Sequence, residues 1–336
     1  MKTARAKLLP PLPVLAPSRS AKRQRRRPAK NSGQTPGGEH AATVHCRGAG
    51  PMPWRVVEHA RNVHSIRFDH VHAGWEQYVL LQSDEHFDNP HCNRPLYKKH
   101  LDQALERRAP VVKYGDLFCA MQGKFDKRAS KSSVRPEDNN DNYLDKLVEN
   151  CARWHEPYAS ILAIAGPGNH ETSILKHHET HLTERFVEQI RAALPASPLR
   201  LGGFSGWVRF QFSMRTRQTS SLRLWYHHGY GGGGPVTRGV IQTNRRAVYV
   251  DADILCTGHI HDEYIVPIQR IRLNGGNQIE QVRQLHLCTP GYKNEYDDGY
   301  GGWHIERGGP PKPIGAVWLR FWYSNCAIHY EALSAQ

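Results

Sequence analysis

Histidine and carboxylate residues fall in five short patterns in a fixed order along the chain: Asp84-Glu85-His86, Gly115-Asp116, Gly168-Asn169-His170-Glu171, His228-Gly229 and Gly258-His259-Ile260-His261. Carboxylate oxygen, amide oxygen and imidazole nitrogen make a mixed donor set suited to Mn²⁺, Fe or Zn²⁺, whereas an all-oxygen shell would favour Mg²⁺ or Ca²⁺. Two such ions about 3.5–4 Å apart can hold a bridging water, lower its pKa towards neutrality and clamp phosphate oxygens for in-line attack. Any one pattern alone is weak in a chain with 21 histidines. Their order, their spacing and what precedes each of them point to a two-metal site that hydrolyses phosphate esters.

Each pattern follows a short apolar run that reads as a buried strand. These runs are Tyr78 to Leu81, Val111-Val112, Ile161 to Ile164, Leu222 to Trp225 and Ile254 to Cys256. Loops leaving the carboxyl ends of strands in an α/β sheet converge on one edge, so the polar residues are expected to meet in space. Helical spacing links Leu96, Tyr97, Leu101, Ala104 and Leu105, then Tyr143, Leu144, Leu147, Val148, Cys151 and Trp154, then Leu182, Phe186, Val187 and Ile190. Strand and helix therefore alternate through the first half, the mark of a layered α/β architecture. The second half, with Trp207 to Phe212 and Tyr264 to Ile268 as strands and few helices, predicts a second, more antiparallel sheet packed on the first.

The formal net charge of +14 is unevenly placed: residues 1–50 hold 11 Lys/Arg against one Glu, and the remaining residues carry only +4. The first 50 residues are Pro-rich and basic around Lys22-Arg23-Gln24-Arg25-Arg26-Arg27 and lack a periodic apolar face, so a disordered tail over 1–50 and one catalytic domain over 51–336 are expected. Prolines 10, 11 and 13 break the apolar stretch from Leu8 to Leu15, against a signal-peptide core, and no segment is long enough to span a membrane. An organelle transit peptide shares the tail's arginines but not its lack of a regular serine pattern and amphipathic helix; a translation start at Met52 is a further alternative. Seven scattered cysteines without a CxxC pair form neither a disulfide framework nor a zinc-finger spacing, and a reducing, cytoplasmic compartment fits them.

The five patterns resemble those of the calcineurin-like metallophosphoesterases over roughly residues 78 to 262, and the general texture is similar to members encoded by phages and bacteria. The resemblance implies a four-layer α/β/β/α sandwich with two divalent ions at the sheet edge, manganese first and iron or zinc as alternatives. It implies Asp84, His86 and His261 as ligands of one ion, Asn169, His228 and His259 as ligands of the other, and Asp116 as the bridge. His170 would bind no metal but face the scissile phosphate as the catalytic residue, stabilising charge or protonating the leaving alkoxide. Glu171 completes that motif. The adjacent His227 and His228 point to opposite sides of a strand, and the family's glycine directly after the ligand selects His228.

The implied activity is dinuclear-metal-dependent hydrolysis of phosphate esters by a metal-bridging hydroxide. The basic tail tilts the substrate towards nucleic acid or nucleotides. The competing reading is a catalytically silent nucleic-acid-binding protein that keeps the fold, against which stands the retention of every ligand together with His170. One departure is Cys119, where many relatives place an acid three residues after the bridging Asp; Asp126 is a candidate replacement, with an exposed loop acid as the alternative. Gly231 to Gly234 could let backbone amides approach a phosphate or form a mobile loop. His177 and His181, four apart on an expected helix, read as a solvated face, and Lys124, Lys127 and Arg128 as substrate contacts or surface charge.

Overall fold

The computed structural model describes residues 51–123, 134–214, 218–232, 239–297 and 303–335. The basic tail and Asp126, Lys124, Lys127 and Arg128 lie outside the described residues. Among the described residues, thirteen strands form two sheets. In chain order they are β1 (Trp54–Ala60), β2 (Val63–Val71), β3 (Glu76–Gln82), β4 (Val111–Tyr114), β5 (Leu162–Gly166), β6 (Arg200–Leu201), β7 (Ser205–Met214), β8 (Thr219–His227), β9 (Ile254–Thr257), β10 (Tyr264–Leu273), β11 (Ile279–Cys288), β12 (Ala316–Ser324) and β13 (Ala327–Ala335). The α-helices are α1 (Arg94–Glu106), α2 (Tyr143–His155), α3 (Asn169–His178), α4 (Leu182–Ala193), α5 (Val240–Tyr249) and α6 (Trp303–Glu306).

One sheet runs β13-β12-β3-β4-β5-β6 and the other β1-β2-β7-β8-β9-β11-β10. In the first, β3, β4, β5 and β6 are parallel, because α1, α2 and the pair α3–α4 carry the chain back across between successive strands. Helix α1 starts cleanly: the Asn93 side chain accepts from the Leu96 amide at 3.0 Å, and Pro95 sits in the first turn where no intrahelical donor is needed. Its buried residues Tyr97, His100, Leu101 and Ala104 lie on one stripe, as the spacing predicts.

The sheets pack face to face through aromatic side chains. Phe321 of β12 meets Phe210 and Phe212 of β7 at ring-centroid distances of 4.9 and 5.3 Å, and Phe212 stacks on Phe68 of β2 at 5.4 Å. All four rings are buried. On the other side of the second sheet, Val250 and Ala252, just beyond α5, pack with Leu255 against Trp207 and Trp225. This is a mixed α/β sandwich, the expected fold class.

Two expectations need correction. The sheets do not divide the chain into halves: β1 and β2, near the start, join the second sheet through a parallel pairing of β2 with β7, while β12 and β13 return to the first through an antiparallel pairing of β12 with β3. The second sheet is the more antiparallel of the two, as expected: β1–β2, β7–β8 and β10–β11 are antiparallel and β2–β7, β8–β9 and β9–β11 parallel, whereas in the first only β12–β13 and β12–β3 are antiparallel and the other three pairings parallel. Helix α5 also interrupts the second half, and it is what turns the chain so that β9 lies parallel to β8. Finally, His177 and His181 do not share a helix: α3 ends at His178, Glu179 takes a left-handed conformation (φ 52°), and the His181 ring caps α4 by accepting from the Glu184 amide at 3.1 Å.

Behind the sheet edge lies a buried polar network. The Lys113 ammonium on β4 donates to Gln82 Oε1 (2.7 Å), Glu85 Oε1 (2.9 Å) and the Tyr97 hydroxyl (2.5 Å). The Tyr97 hydroxyl in turn donates to His155 Nε2 (2.6 Å), whose Nδ1–H donates to the Cys151 carbonyl (2.8 Å). The chain of donors ties β3, β4, α1 and α2 together immediately beneath Asp84. Burial pushes the Glu85 carboxyl up and the Lys113 ammonium down, so each needs the other to stay charged. Removing one partner of such a pair leaves an uncompensated buried charge, so Lys113→Met should cost about 3–5 kcal/mol in urea unfolding. Adding Glu85→Leu should recover most of that loss; no recovery would mean that the pair does not act as a unit.

Candidate metal centre

The five patterns occupy five loops that leave the carboxyl ends of β3, β4, β5, β8 and β9 and meet at one edge of the sandwich. Five of the residues read as ligands have left-handed backbone: Asp84 (φ 56°), His86 (46°), Asp116 (54°), His259 (72°) and His261 (50°). Each costs roughly 1–2 kcal/mol for an L-residue, though Asp and His tolerate this region better than most. Such strain persists only where surrounding structure dictates it, and it clusters at functional sites. Glycines make room for the packing: a Cβ on Gly168 would land on the Asp116 carboxylate, and one on Gly115 would lie 2.6 Å from Cγ of His228.

The side chains gather in two groups. In the first, His86 Nε2 and His261 Nε2 are 3.1 Å apart, and His261 Nε2 is 3.3 Å from Asp84 Oδ1. In the second, Asn169 Oδ1 is 2.9 Å from His228 Nε2 and 2.8 Å from His259 Nδ1. Asp116 Oδ2 lies 3.2 Å from His228 Nε2. Ligand atoms of Asp84, His86 and His261, and likewise of Asp116, His228 and His259, all lie within 4.8 Å of one another, close enough to hold an ion each.

These residues fit divalent cations on their own chemistry. Asp84 and Asp116 are fully buried in one site, where two carboxylates would repel without positive charge between them. Asp84 Oδ1 is buried with no hydrogen-bond donor, whereas Oδ2 accepts from the Ser83 hydroxyl (2.6 Å) and the His259 amide (2.8 Å). One oxygen is thus oriented by the protein and the other left for a cation. Burial, reinforced by the neighbouring His170 and His261, holds His86 well below the usual imidazole range, and burial followed by His228 lowers His259. Both stay in the neutral form that ligates metals.

His228 behaves differently. Burial alone would lower it, but the Asp116 carboxylate raises it to about 9. In the metal-free protein the His228–Asp116 contact is therefore an ion pair that stabilises the fold below about pH 6.5, the ordinary histidine value, and loses that contribution as pH rises through about 9. An ion at His228 must displace this proton. Metal affinity, read by calorimetric titration, should rise up to about tenfold per pH unit between 7 and 9 and flatten above. A flat profile would remove His228 from the ligand set. Its neighbour His227 lies apart from the cluster: its Nδ1 accepts from the Gly229 amide at 2.9 Å, and its ring meets Phe204 and Tyr230.

His170 stands beside both groups. Its amide donates to Asp116 Oδ1 (2.9 Å), its Nδ1 bonds the Cys119 carbonyl, and its Nε2 is 3.7 Å from Asp116 Oδ2. With Nδ1 donating to a carbonyl, Nε2 is the nitrogen left to meet a ligand. Glu171 is the organiser of the turn, accepting from the amides of Gly168 (2.8 Å), Phe118 (2.9 Å) and Asp116 (3.2 Å). Burial, then the neighbouring Asp116, pushes its carboxyl up to about 8.

Two contributors were not read from the sequence. Asp88 accepts from the amides of Cys119 (2.5 Å) and Ala120 (2.9 Å) and from the Tyr143 hydroxyl (3.0 Å), anchoring the loop after Asp116. It sits only four residues after Asp84, a signal available in the sequence. The other is the segment after β11. The Tyr292 amide donates to the Asp84 carbonyl at 3.0 Å. Beyond it, Lys293, Glu295, His304, Arg307 and Lys312 form one wall of a cleft of about 1370 Å³ over the centre. Lys312 pairs with Asp262 at 3.3 Å and Lys293 with Glu295, so two of the wall's cations are matched by acids. Gly231 and Gly232 line the same cleft, while residues 233 and 234 of that glycine run lie outside the described residues.

No family model and no curated protein matches the chain. Among solved structures it is similar to a predicted phosphoesterase from Streptococcus pneumoniae, at 11% identity over 78% of this chain and 92% of that one, with a TM-score of 0.31. A metallophosphoesterase from Sphaerobacter thermophilus is similar at 12% identity over 77% of this chain and 89% of that one (TM-score 0.31). Zinc-complexed Vps29 from Entamoeba histolytica is similar at 11% identity over 77% of this chain and 100% of that one (TM-score 0.30).

Proposed function

We propose that this protein is a metal-dependent phosphoesterase whose centre holds two divalent cations, manganese first, with iron or zinc as alternatives. The observation that carries the reading is the convergence of Asp84, His86 and His261 with Asn169, His228 and His259 around Asp116, five of these seven residues on left-handed backbone. When bound, the cations supply an activated water and positive charge against the phosphate oxygens. The protein's own residues do the rest. Asp116 would hold the ion of the His228–His259 group and is the residue proposed to reach the other ion as well. Asn169 contributes a neutral carbonyl, limiting the negative charge that faces an anionic substrate. His170 lines the cleft with Nε2 3.7 Å from Asp116 Oδ2, where it would donate a hydrogen bond to the developing charge or a proton to the leaving oxygen.

Nucleotides and nucleic acid are the substrates to which the basic tail points. The test is a panel of a phosphomonoester, a phosphodiester, cyclic nucleotides and single- and double-stranded DNA, each with Mn²⁺ and after chelation. Hydrolysis of at least one ester with Mn²⁺, lost in chelator, is expected; equal rates in both conditions would overturn the reading. If residues 1–50 contact DNA, log affinity should fall with log salt by about 0.9 per duplex phosphate engaged. A protein beginning at Met52 should show a shallower slope while cleaving a small ester at the same rate. An unchanged slope would remove the tail from substrate binding.

A further inference from the structure

We infer that Cys119, His86 and His170 form an alternative, overlapping site for a soft divalent cation such as Zn²⁺ or Cd²⁺, and that filling it switches the centre off. One ligand atom from each, the Cys119 sulfur and a ring nitrogen of either histidine, lies within 4.8 Å of the others. In a tetrahedral zinc shell, with Zn–S near 2.3 Å and Zn–N near 2.0–2.1 Å, adjacent ligand atoms are roughly 3.3–3.6 Å apart, so at most roughly 1.5 Å of closure completes the shell. All three residues line the cleft over the centre. They come from elements fixed independently: the loop after β3, the loop after β4 anchored by Asp88, and the first turn of α3. The Asn89 side-chain amide donates to the Cys119 sulfur at 3.4 Å, which fixes where the sulfur lies. On binding, the thiol proton passes to solvent and the thiolate becomes the soft ligand that selects Zn²⁺ or Cd²⁺ over Mn²⁺.

An ion here takes His170 out of proton chemistry and competes with the Asp84–His86–His261 group for His86. Only this inhibitory effect rests on the phosphoesterase reading; binding itself does not. The full chain, stripped of metal and kept reduced, is titrated with Co²⁺ while thiolate-to-cobalt charge-transfer absorption is followed in the near ultraviolet. The band should appear in the wild type, vanish in Cys119→Ser and weaken in His170→Ala, which keeps the sulfur. With Mn²⁺ activity as a separate readout, zinc chloride should inhibit the wild type, and Cys119→Ser should need at least about tenfold more zinc for half-inhibition. A band unchanged in both variants, or absent from the wild type, would overturn the site. A band that behaves as described in a protein that hydrolyses none of the panel would uphold the site and count only against the phosphoesterase reading.

Discussion

Asp116→Asn is expected to lower hydrolysis of a small phosphodiester by about 10³-fold or more, since several kilocalories per mole of charge stabilisation correspond to at least that factor. The carboxylate is fully buried, accepts the His170 amide on Oδ1 and faces His228 with Oδ2. Burial would raise its pKa, yet His228 and then His170 hold it well below the usual carboxylate range, so it is an anion throughout the working pH range. An amide in its place removes one negative charge between the two proposed cations and turns one oxygen into a donor group facing another donor. Metal analysis of the variant should find fewer than two ions per chain. Full activity with both ions retained would show that Asp116 does not bridge them, and the proposed centre would have to be redrawn.

His170→Ala should separate binding from chemistry. Its amide, not its ring, bonds Asp116 Oδ1, so the backbone contact that orients the Asp116 carboxylate survives truncation. Two ions should therefore remain while turnover falls by roughly 10²–10⁴, the range for loss of a positioned acid or charge stabiliser. KM for the small ester should change less than kcat, because the interaction is made in the transition state. A variant with one ion missing would make His170 a ligand instead. His228→Ala, in contrast, should lose an ion, whereas His227→Ala should keep both because its ring turns towards Phe204 and Tyr230.

Between these residues and the Lys113–Glu85 pair runs a division of labour. Asp84 belongs to the cluster and Glu85, its neighbour in sequence, to the buried network behind it, because adjacent side chains leave the backbone in different directions. The pattern Asp84-Glu85-His86 is therefore two cluster residues flanking a structural one. Glu171 is similar: it lies beside His170 but spends both oxygens on backbone amides, fixing the loop that presents Asp116.

Much of this was legible in the sequence because it is written in local pattern. Apolar runs marked β3, β4, β5, β8 and β9, helical spacing marked α1, α2 and α4, and the polar residues at strand ends marked the loops that converge. Local pattern cannot choose partners. Nothing within the residues of β2 names β7, about 140 positions on, as their parallel neighbour. Nor could β12 be seen to return to β3, or Tyr292, 210 positions from Gln82, to be its hydrogen-bond partner. Those choices follow from which faces bury the most apolar surface once the aromatic seam of Phe68, Phe210, Phe212 and Phe321 closes. The sequence by itself determined the kinds of donor and the strand ends that carry them. The tertiary structure alone decided which donors meet, what backbone strain aims them, and which wall faces them across the cleft, since each of these depends on contacts between segments far apart in the chain.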